Sequence, residues 1–549
     1  MSPVTKSISP LPAELVTKRP ALGANRVTIV LPWDLDTTLA SFPKTPAEGQ
    51  LLVLETRAKV HALPWHRQKL TMVVSALRHF VAQRRDAGFH VEHRVADDYA
   101  SGIAAFAAWA RPKELHLNEP REWAIDTRLR ALPVTMHPDG GPGGHFLISR
   151  DDFSAWASRR KLMRMEHFYP EMRRRFGWLV DARGKPEGGQ WSFDADNRGH
   201  ARGVTMPAIP WFRPDALTES VMRWVRLESV GAWGSLDSFG WPVTRTQALE
   251  WLERFMADRL EQFGPYEDAI RADERFLYHS LLSAPLNLGL LRPDEVANAA
   301  VTRFRSGKAS LASTEGFIRQ VIGWREFMRG CYWHLMPGLR EANQLGATLP
   351  LPHFFWQPEH AELNCLRGAL QSVHDTGYTH HIERLMVICN YATLAGLDPR
   401  AVSHWFWAAF VDAYEWVELP NVVGMGLFGT DAFTTKPYVA SAAYIKRQSG
   451  ASAKGRGPAA ARDEAPCATC KYDPDLRSGP TACPLNAMYW DFFSQHRDRL
   501  SQNPRMRQLV TTLERFGPAQ LADIRATATA HRASLRPLSP GWAIDEDAG

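Results

Sequence analysis

Four of the six cysteines in this 549-residue chain have the spacing of metal ligands. Cys467 and Cys470 form a Cys-x-x-Cys pair, and Cys483 follows after twelve residues with a proline directly behind it. A fourth ligand must come from elsewhere in the chain, and Cys365 is the candidate. The spacing therefore requires a fold that brings residue 365 and residues 467–483 together.

The spacing leaves the identity of the metal open. Thiolates suit both zinc and iron–sulfur clusters. Ligands dispersed over more than one hundred residues, and the proline after the last cysteine, favour an iron–sulfur cluster over a zinc ribbon. Zinc, or four unligated thiols, stays the alternative. Cys331 and Cys389 lie in apolar helical patterns and are predicted to be buried thiols.

Composition excludes several classes of protein. A hydrophobic content of 45% and a charged content of 23% are typical of a globular chain. A net charge of +6 and a pI near 9.0 permit nucleic-acid binding without demanding it. No apolar run is long enough for a membrane span, and residues 1–25, rich in Pro and Ser, predict a disordered extension rather than a signal peptide. Together with the cysteine usage, this predicts a reducing compartment, the cytoplasm, and no membrane partner.

Residues 26–145 alternate between strand and helix patterns. Short, mostly apolar runs at 27–31 and 51–54 predict buried parallel strands, and apolar residues at helical spacing predict a helix at 67–85. A strand near 90–95, a helix at 100–110 and a strand at 114–117 are predicted to follow. This pattern predicts a doubly wound α/β domain. Neither a GxGxxG nor a Walker sequence accompanies it, so the sequence does not support ordinary NAD or ATP binding.

Strand patterns almost vanish after residue 150. We predict an interdomain linker at 146–215 with a basic helix, and a helical domain at 216–549 interrupted by a flexible loop at 448–462. The basic segment 159–175 is more typical of a solvated helix face than of a DNA contact. The acidic residues near 545–547 predict a frayed C-terminus.

Two further segments carry polar groups suited to chemistry. Adjacent histidines, His380 and His381, open an apolar helix; such a pair is more often structural than catalytic. The segment 279–283 offers two hydroxyls near a helix start, which suits phosphate oxygens, although serine there is usually a helix cap.

Longer motifs carry a family resemblance. The chain is similar to the photolyase/cryptochrome superfamily, and within it to the bacterial iron–sulfur branch, whose characterised members are mostly (6-4) photolyases. The similarity runs from about Arg26 to Gln495. The matching segments are Trp324–Phe327, His380–Met386, Asp412–Asn421, Thr435–Tyr438, the four cysteines, and Ala487–Phe492.

The resemblance implies an α/β Rossmann-like domain followed by a large all-α domain that binds FAD. An ion pair between Arg384 and Asp412 would lie beside the isoalloxazine, and Glu418 would face flavin N5. Ser280, Leu281 and Ser283 would hold the phosphates. The implied cofactor site is completed by His279, Leu282, Arg319, Trp324 and Asn421. A 4Fe-4S cluster would be held by Cys365, Cys467, Cys470 and Cys483.

The implied activity is repair of (6-4) photoproducts in UV-damaged DNA by a monomeric, light-driven enzyme. His380 would act as general acid with support from His381, and Tyr438 would lie in the lesion pocket. Trp405 and Trp356 resemble tryptophans that relay an electron to the photoexcited flavin, although core packing also explains buried tryptophan.

Three alternatives differ in function. A cryptochrome-type photoreceptor would share the flavin and the cluster. A cyclobutane dimer photolyase leaves the histidine pair unexplained. A zinc-bearing helical nucleic-acid binder leaves Arg384, Asp412 and Glu418 unexplained.

The N-terminal domain departs from the branch. Pro32–Leu35 replaces the usual Gly-Asp-Gln-Leu turn, and Lys59 stands where relatives carry an acidic residue that contacts a ribityllumazine antenna. Ala62 stands at a nearby aromatic position. A positive charge and a lost aromatic ring predict that this domain holds a different chromophore, a poorly bound ribityllumazine, or none.

Overall fold

The computed structural model describes residues 11, 15, 23–227, 231–450 and 465–537. Most of the predicted extension at 1–25, the predicted loop from residue 451 onward and the predicted frayed C-terminus lie outside these residues.

The N-terminal domain contains a five-stranded, fully parallel sheet in the order β3-β2-β1-β4-β5. Its strands are β1 (Arg26–Val30), β2 (Gln50–Thr56), β3 (Val91–Ala96), β4 (Glu114–Asn118) and β5 (Thr135–His137). The first four match the predicted strands. β5 was not predicted, because three residues are too few to show a strand pattern.

Helices cover the sheet. Those of this domain are α1 (Arg57–His61), α2 (Arg67–Asp86), α3 (Tyr99–Ala110) and α4 (Trp123–Leu129). Most residues on one side of helix α2 are buried. At the start of this helix, the side chain of His66 accepts a hydrogen bond from Gln68 N. Helix α3 begins with a capping box between Asp98 and Ser101, which satisfies two free backbone N–H groups.

The rest of the described chain is largely helical. The α-helices are α5 (Arg150–Ala157), α6 (Met165–Phe176), α7 (Ala216–Leu227), α8 (Arg245–Asp258), α9 (Leu260–Tyr266), α10 (Ser283–Leu288), α11 (Pro293–Arg305), α12 (Leu311–Ile318), α13 (Arg325–Leu335), α14 (Asn364–Thr376), α15 (His381–Glu383), α16 (Asn390–Ala395), α17 (Pro399–Ala409), α18 (Glu415–Leu419), α19 (Ala442–Gln448), α20 (Pro484–Gln495), α21 (Arg497–Ser501), α22 (Arg507–Leu513) and α23 (Pro518–Ser534). Short 3-10 turns lie at Glu187–Gly189, Gly338–Glu341, His353–Phe355 and Pro358–His360. Three π-helical segments are Arg319–Trp324, Arg384–Cys389 and Pro420–Gly426. The predicted class, an α/β domain followed by a large helical region, is confirmed.

Polar contacts hold the two parts together. Arg121, after β4, is buried; it donates to Asn287 O at 3.1 Å and pairs with Asp34 at 3.4 Å. The Glu326 carboxylate on α13 accepts from Leu147 N at 3.0 Å. Because these groups are buried, removing one member of a pair would leave the charge of the other member unpaired.

The basic segment 159–175 is mainly structural. Arg173 is fully buried and donates to the Trp178 and Leu179 carbonyls, while Arg160 and Arg175 pair with carboxylates. Within the described residues, no helix is long and apolar enough to cross a membrane.

The contact between α13 and α5 depends on a glycine. A Cβ added at Gly330 would overlap the ring of Phe153, whereas one added at Gly338 meets no atom within 4 Å. We expect Gly330→Ala to lower the free energy of unfolding by about 1–3 kcal/mol through overpacking. Gly338→Ala, the control, should leave it unchanged or raise it by up to about 1 kcal/mol. Thermal unfolding of both variants tests this, and equal melting temperatures would show that the Phe153 ring moves aside freely.

Candidate active site

A large cavity of about 1310 Å³ lies among the helices of the second domain. The three π-helical segments form parts of its wall, contributing among others Arg319, Arg384 and Asn421. π-Helical turns are rare and occur mostly at functional sites. Their presence on three walls marks this cavity as the principal candidate site.

Every residue predicted to bind a flavin lines this cavity. They are His279, Ser280, Leu281, Leu282, Ser283, Arg319, Trp324, Arg384, Asp412, Glu418 and Asn421. The structure brings these residues together from segments spread over 140 residues of the chain. The ligand that they bind stays a prediction.

The ion pair between Arg384 and Asp412 forms one side of the site. It is bidentate, with distances of 2.9 Å and 3.1 Å. Ser283 Oγ donates to the same carboxylate at 2.6 Å, and Arg384 Nε donates to Thr379 O at 2.7 Å. The guanidinium lies 4.2 Å from the ring centre of Phe410. This network fixes the guanidinium plane against the cavity.

The segment before α10 is strained. Leu281 has a φ of +56°, a left-handed conformation that costs free energy for a residue with a branched side chain. Ser280 Oγ accepts a hydrogen bond from Leu282 N at 3.3 Å. Such strain concentrates at ligand-binding segments, where the surrounding structure holds it in place.

Three histidines meet beside the cavity. The rings of His279 and His380 are stacked at 4.7 Å and 5°, and His381 lies 5.2 Å from His279. Burial lowers the pKa of His279 and of His380 well below the usual value, and the neighbouring imidazoles lower it further. Both rings are therefore neutral at neutral pH.

The structure distinguishes the two adjacent histidines. His380 is fully buried, and neither ring nitrogen forms a hydrogen bond with the described residues. Its Nε2 lies 3.7 Å from the Glu383 carboxylate, whose pKa burial raises to about 7. His381 instead lines the cavity with 44% of its side chain exposed, and its Nε2 lies 3.3 Å from Asp268 Oδ1. His381, and not His380, therefore lines the cavity, and which of the two acts on a substrate stays a prediction.

Two carboxyl groups on the cavity wall have raised pKa values. Burial raises the pKa of Glu418 well above its usual range, and the Ser403 hydroxyl donates to its carboxyl group at 2.6 Å. Burial also raises the pKa of Glu267 to about 7, although Arg319, 3.3 Å away, opposes the rise. The cavity wall thus favours the neutral form of Glu418.

Positive groups line another part of the cavity. Besides Tyr438, predicted for a lesion pocket, it contains Arg198, Lys436, Arg447 and Arg505. Burial raises the pKa of the Tyr438 phenol, so it stays protonated, and Lys436 Nζ lies 5.8 Å from its ring centre. These cations favour a polyanionic ligand.

The two predicted relay tryptophans lie behind the cavity wall. Trp405 is fully buried and contacts Phe406, which lines the cavity, at 5.2 Å between ring centres. Trp356 is 8% exposed. Trp233, which the sequence did not single out, contacts both.

The four predicted ligand cysteines are free thiols that lie close together. Burial raises the pKa of Cys365 well above its usual value, and the neighbouring thiols raise it further. Burial also raises the pKa of Cys467 and of Cys483 to about 12. Polar contacts join the two segments, including Tyr472 to Glu362 at 2.5 Å and Asn364 to Thr469 at 3.1 Å. The required approach of residue 365 to residues 467–483 is thus present.

Among the described residues, no group of three or more His, Cys, Asp or Glu side chains is arranged to hold a metal ion. The predicted donor set consists of thiols alone, and the metal that it would hold stays a prediction.

Near the antenna position, Lys59 pairs with the buried Glu122. Its ammonium lies 4.7 Å from the ring centre of Trp407 and 5.5 Å from that of Trp65. Lys59 thus occupies space between the sheet and the helical domain.

Several contributors could not be inferred from the sequence. Asp268 and Trp233 belong to no recognisable motif, and only their positions in the fold bring them to the site. The spacing of charged residues along the sequence did not indicate these site residues either.

Comparisons with known proteins agree with this arrangement. Residues 28–241 match the family model described as deoxyribodipyrimidine photo-lyase-related protein. A (6-4) photolyase of Agrobacterium fabrum (strain C58) is 37% identical over 518 residues, which cover 92% of this chain and 99% of the relative.

Solved structures share the fold at low sequence identity. A bacterial class III photolyase from Agrobacterium tumefaciens superposes with a TM-score of 0.50 at 16% identity, covering 79% of this chain and 86% of the other. The Synechocystis sp. PCC6803 cryptochrome gives a TM-score of 0.55 at 13% identity, covering 79% and 87%. With the full-length similarity to the Agrobacterium fabrum enzyme, these matches show that the chain belongs to the photolyase/cryptochrome family, in its photolyase-related branch.

Proposed function

We propose that this protein is a light-dependent DNA repair enzyme, a (6-4) photolyase, acting as a monomer in the bacterial cytoplasm. The observation that carries the proposal is that His381 and the Arg384–Asp412 pair face one cavity. Similarity over 99% of a (6-4) photolyase supports the choice of lesion.

The residues of the cavity fit FAD. The strained segment 280–283 offers hydroxyl and backbone groups for the phosphates, and the Arg384–Asp412 pair gives a fixed polar edge for the flavin ring. Burial favours the neutral form of Glu418, which in that form would donate a hydrogen bond to a ring nitrogen. Arg319, Trp324 and Asn421 complete the wall. When bound, FAD supplies light absorption and the electron that splits the lesion.

The cationic part of the cavity fits DNA with an extruded lesion. Arg198, Lys436, Arg447 and Arg505 provide charge for phosphates, and a (6-4) lesion leaves the duplex at reduced cost because it pairs poorly. Tyr438 gives an aromatic face against which the lesion can pack.

We assign the proton donor to His381. It is the exposed member of the histidine pair, and the Asp268 carboxylate offers a partner that orients its ring. His380 and His279 form the neutral wall that keeps His381 in place. A proton held at the His381 ring can reach a lesion in the cavity without passing through buried atoms.

The four cysteines fit a 4Fe-4S cluster better than zinc. The set is all-thiol and partly buried, its members are dispersed over more than one hundred residues, and a proline follows the last cysteine. Cys365, Cys467, Cys470 and Cys483 would hold the cluster, which would tie the start of α14 to the start of α20.

The geometry near Lys59 supports loss of the antenna. The Lys59–Glu122 pair fills the position where relatives offer a carboxylate. The buried Arg121–Asp34 pair fills the crevice between β1 and β4, where open α/β sheets usually bind ligands. We therefore propose that light reaches the flavin directly.

The histidine assignment predicts different effects at neighbouring positions. His381→Ala should retain FAD and reduce (6-4) repair by about 10²-fold or more, the usual loss for a positioned general acid. His380→Ala should have a smaller effect on repair and a larger one on melting temperature, because its ring is buried. The measurement is repair of (6-4) and cyclobutane oligonucleotides under blue light. Full repair by His381→Ala, or repair of cyclobutane dimers alone, would contradict the assignment.

The cluster proposal predicts the metal content. Wild-type protein should contain about four iron and four sulfide per chain. Cys365→Ala should lose most of the iron, whereas Cys331→Ala, a buried thiol outside the set, should retain it. Elemental analysis that finds zinc instead of iron would overturn the proposal.

The antenna proposal predicts the chromophores released on denaturation. Chromatography of the extract should find FAD, with ribityllumazine absent or well below one per chain. One ribityllumazine per chain would show that the Lys59–Glu122 pair does not close the site.

A further inference from the structure

We propose that Lys69 is a positioning residue of the flavin site: from the α/β domain, it holds the backbone segment 407–413, which presents Asp412 to the cavity. The inference rests on the proposed function, because it concerns the site in which the flavin would bind. It assigns a role to a residue of the other domain, outside the motifs of the sequence.

The contacts of the Lys69 side chain carry the proposal. Lys69 lies on α2 and is buried. Its Nζ donates to Trp407 O at 2.5 Å and to Ala413 O at 2.6 Å, both in the helical domain. Nζ also lies 4.5 Å from the ring centre of Trp65 and 5.6 Å from that of Tyr414. The side chain thus crosses from one domain to the other, and both of its hydrogen bonds end on one segment.

The first of these hydrogen bonds caps a helix. Trp407 belongs to the last turn of α17, and the last carbonyl groups of a helix have no partner within it. The α/β domain supplies partners here, because His66 N donates to Ala408 O at 2.9 Å and Lys69 donates to Trp407 O. The start of α2 therefore holds the end of α17, the helix from which Phe406 lines the cavity.

The second hydrogen bond lies directly beside Asp412. The Asp412 carbonyl oxygen accepts from Asn287 Nδ2 at 2.8 Å, and the next carbonyl, that of Ala413, accepts from Lys69. These two contacts hold the backbone from which the Asp412 carboxylate reaches Arg384. Because a bidentate ion pair requires a specific orientation of both groups, loss of the Lys69 contact would loosen the pair.

The residue before Lys69 anchors a second segment. Gln68 Nε2 donates to Asp375 O at 2.8 Å, in the segment that leads to His380. Gln68 Oε1 accepts from Trp241 Nε1 at 2.9 Å. The first turn of α2 therefore contacts both segments that lead to the site, with Lys69 on the side of Asp412.

The contacts of Lys69 do not depend on its charge. Burial lowers the pKa of Lys69 to about 7 and Lys59 lowers it further, whereas the carboxylates of Glu122, Asp412 and Glu418 oppose the shift. An ammonium group has three N–H donors and a neutral amine has two, so either form can serve both carbonyl groups. Lys69 therefore acts by holding the backbone in place.

The test begins with the affinity for FAD, measured by fluorescence titration of protein from which flavin has been removed. Lys69→Met keeps the length of the side chain but leaves the carbonyls of Trp407 and Ala413 without their donor. The dissociation constant of FAD should rise about tenfold or more, because binding must then order the segment again. Lys69→Gln keeps an N–H donor on a shorter side chain and should lose less affinity; it serves as the test if Lys69→Met does not fold.

Hydrogen exchange of the flavin-free protein gives a second readout that does not depend on the cofactor. In Lys69→Met, the backbone amides of residues 410–414 should exchange about tenfold faster or more, because the segment opens more readily. The exchange of strands β1 and β2 should stay as in the wild type.

His79→Ala is the control. His79 also lies on α2, and its Nε2 contacts Asp215 Oδ2 at 2.7 Å, just before α7. This variant loses a contact of the same helix but should keep the wild-type affinity for FAD and the wild-type exchange at 410–414. Unchanged affinity or unchanged exchange in Lys69→Met, or an equal loss of affinity in His79→Ala, would overturn the inference. Wild-type protein that binds no FAD would instead overturn the proposed function, and the exchange measurement would still show whether Lys69 holds the segment.

Discussion

The bidentate pair between Arg384 and Asp412 is the contact on which the cavity depends. It joins a π-helical segment to the turn before α18, and through Ser283 and Asn287 the same aspartate holds the start and the end of α10. Both charged groups are largely removed from water, so either one alone would be costly. The pair therefore holds three walls of the cavity in fixed relation, and the strained Leu281 persists because its neighbours are fixed in this way.

Much of the fold could be predicted from the sequence, because a strand or helix with one buried face has apolar residues at a regular spacing along the chain. Strands β1 and β2 were predicted from mostly apolar runs and helix α2 from apolar residues at helical spacing, and strands β3 and β4 were predicted as the continuation of that alternation. β5 was missed because three residues have no measurable period. The π-helical segments were missed because they change the hydrogen-bond register without changing the residue types.

The sequence predicted some residues of the candidate site and missed others. Arg384, Asp412 and Glu418 were identified through motifs, and the structure brings them together. The choice between His380 and His381 was not accessible, because His380 is the extended residue before α15 and only its packing in the fold, including the stacking on His279, shows which of the two is buried. Trp233 and Asp268 were missed because tertiary structure alone gives them their partners.

The π-helical segments have a geometric consequence for the long helices that contain them. Leu311–Leu335 is one continuous rod, with an α-helical part on each side of Arg319–Trp324. A π-turn accommodates an extra residue, which rotates everything after it by about 100° around the axis. The first part of the rod can therefore direct its apolar side toward α9 while the second directs its own toward α5 and α18. Removing a single residue from the middle of the rod would therefore rotate every later residue of the helix about its axis.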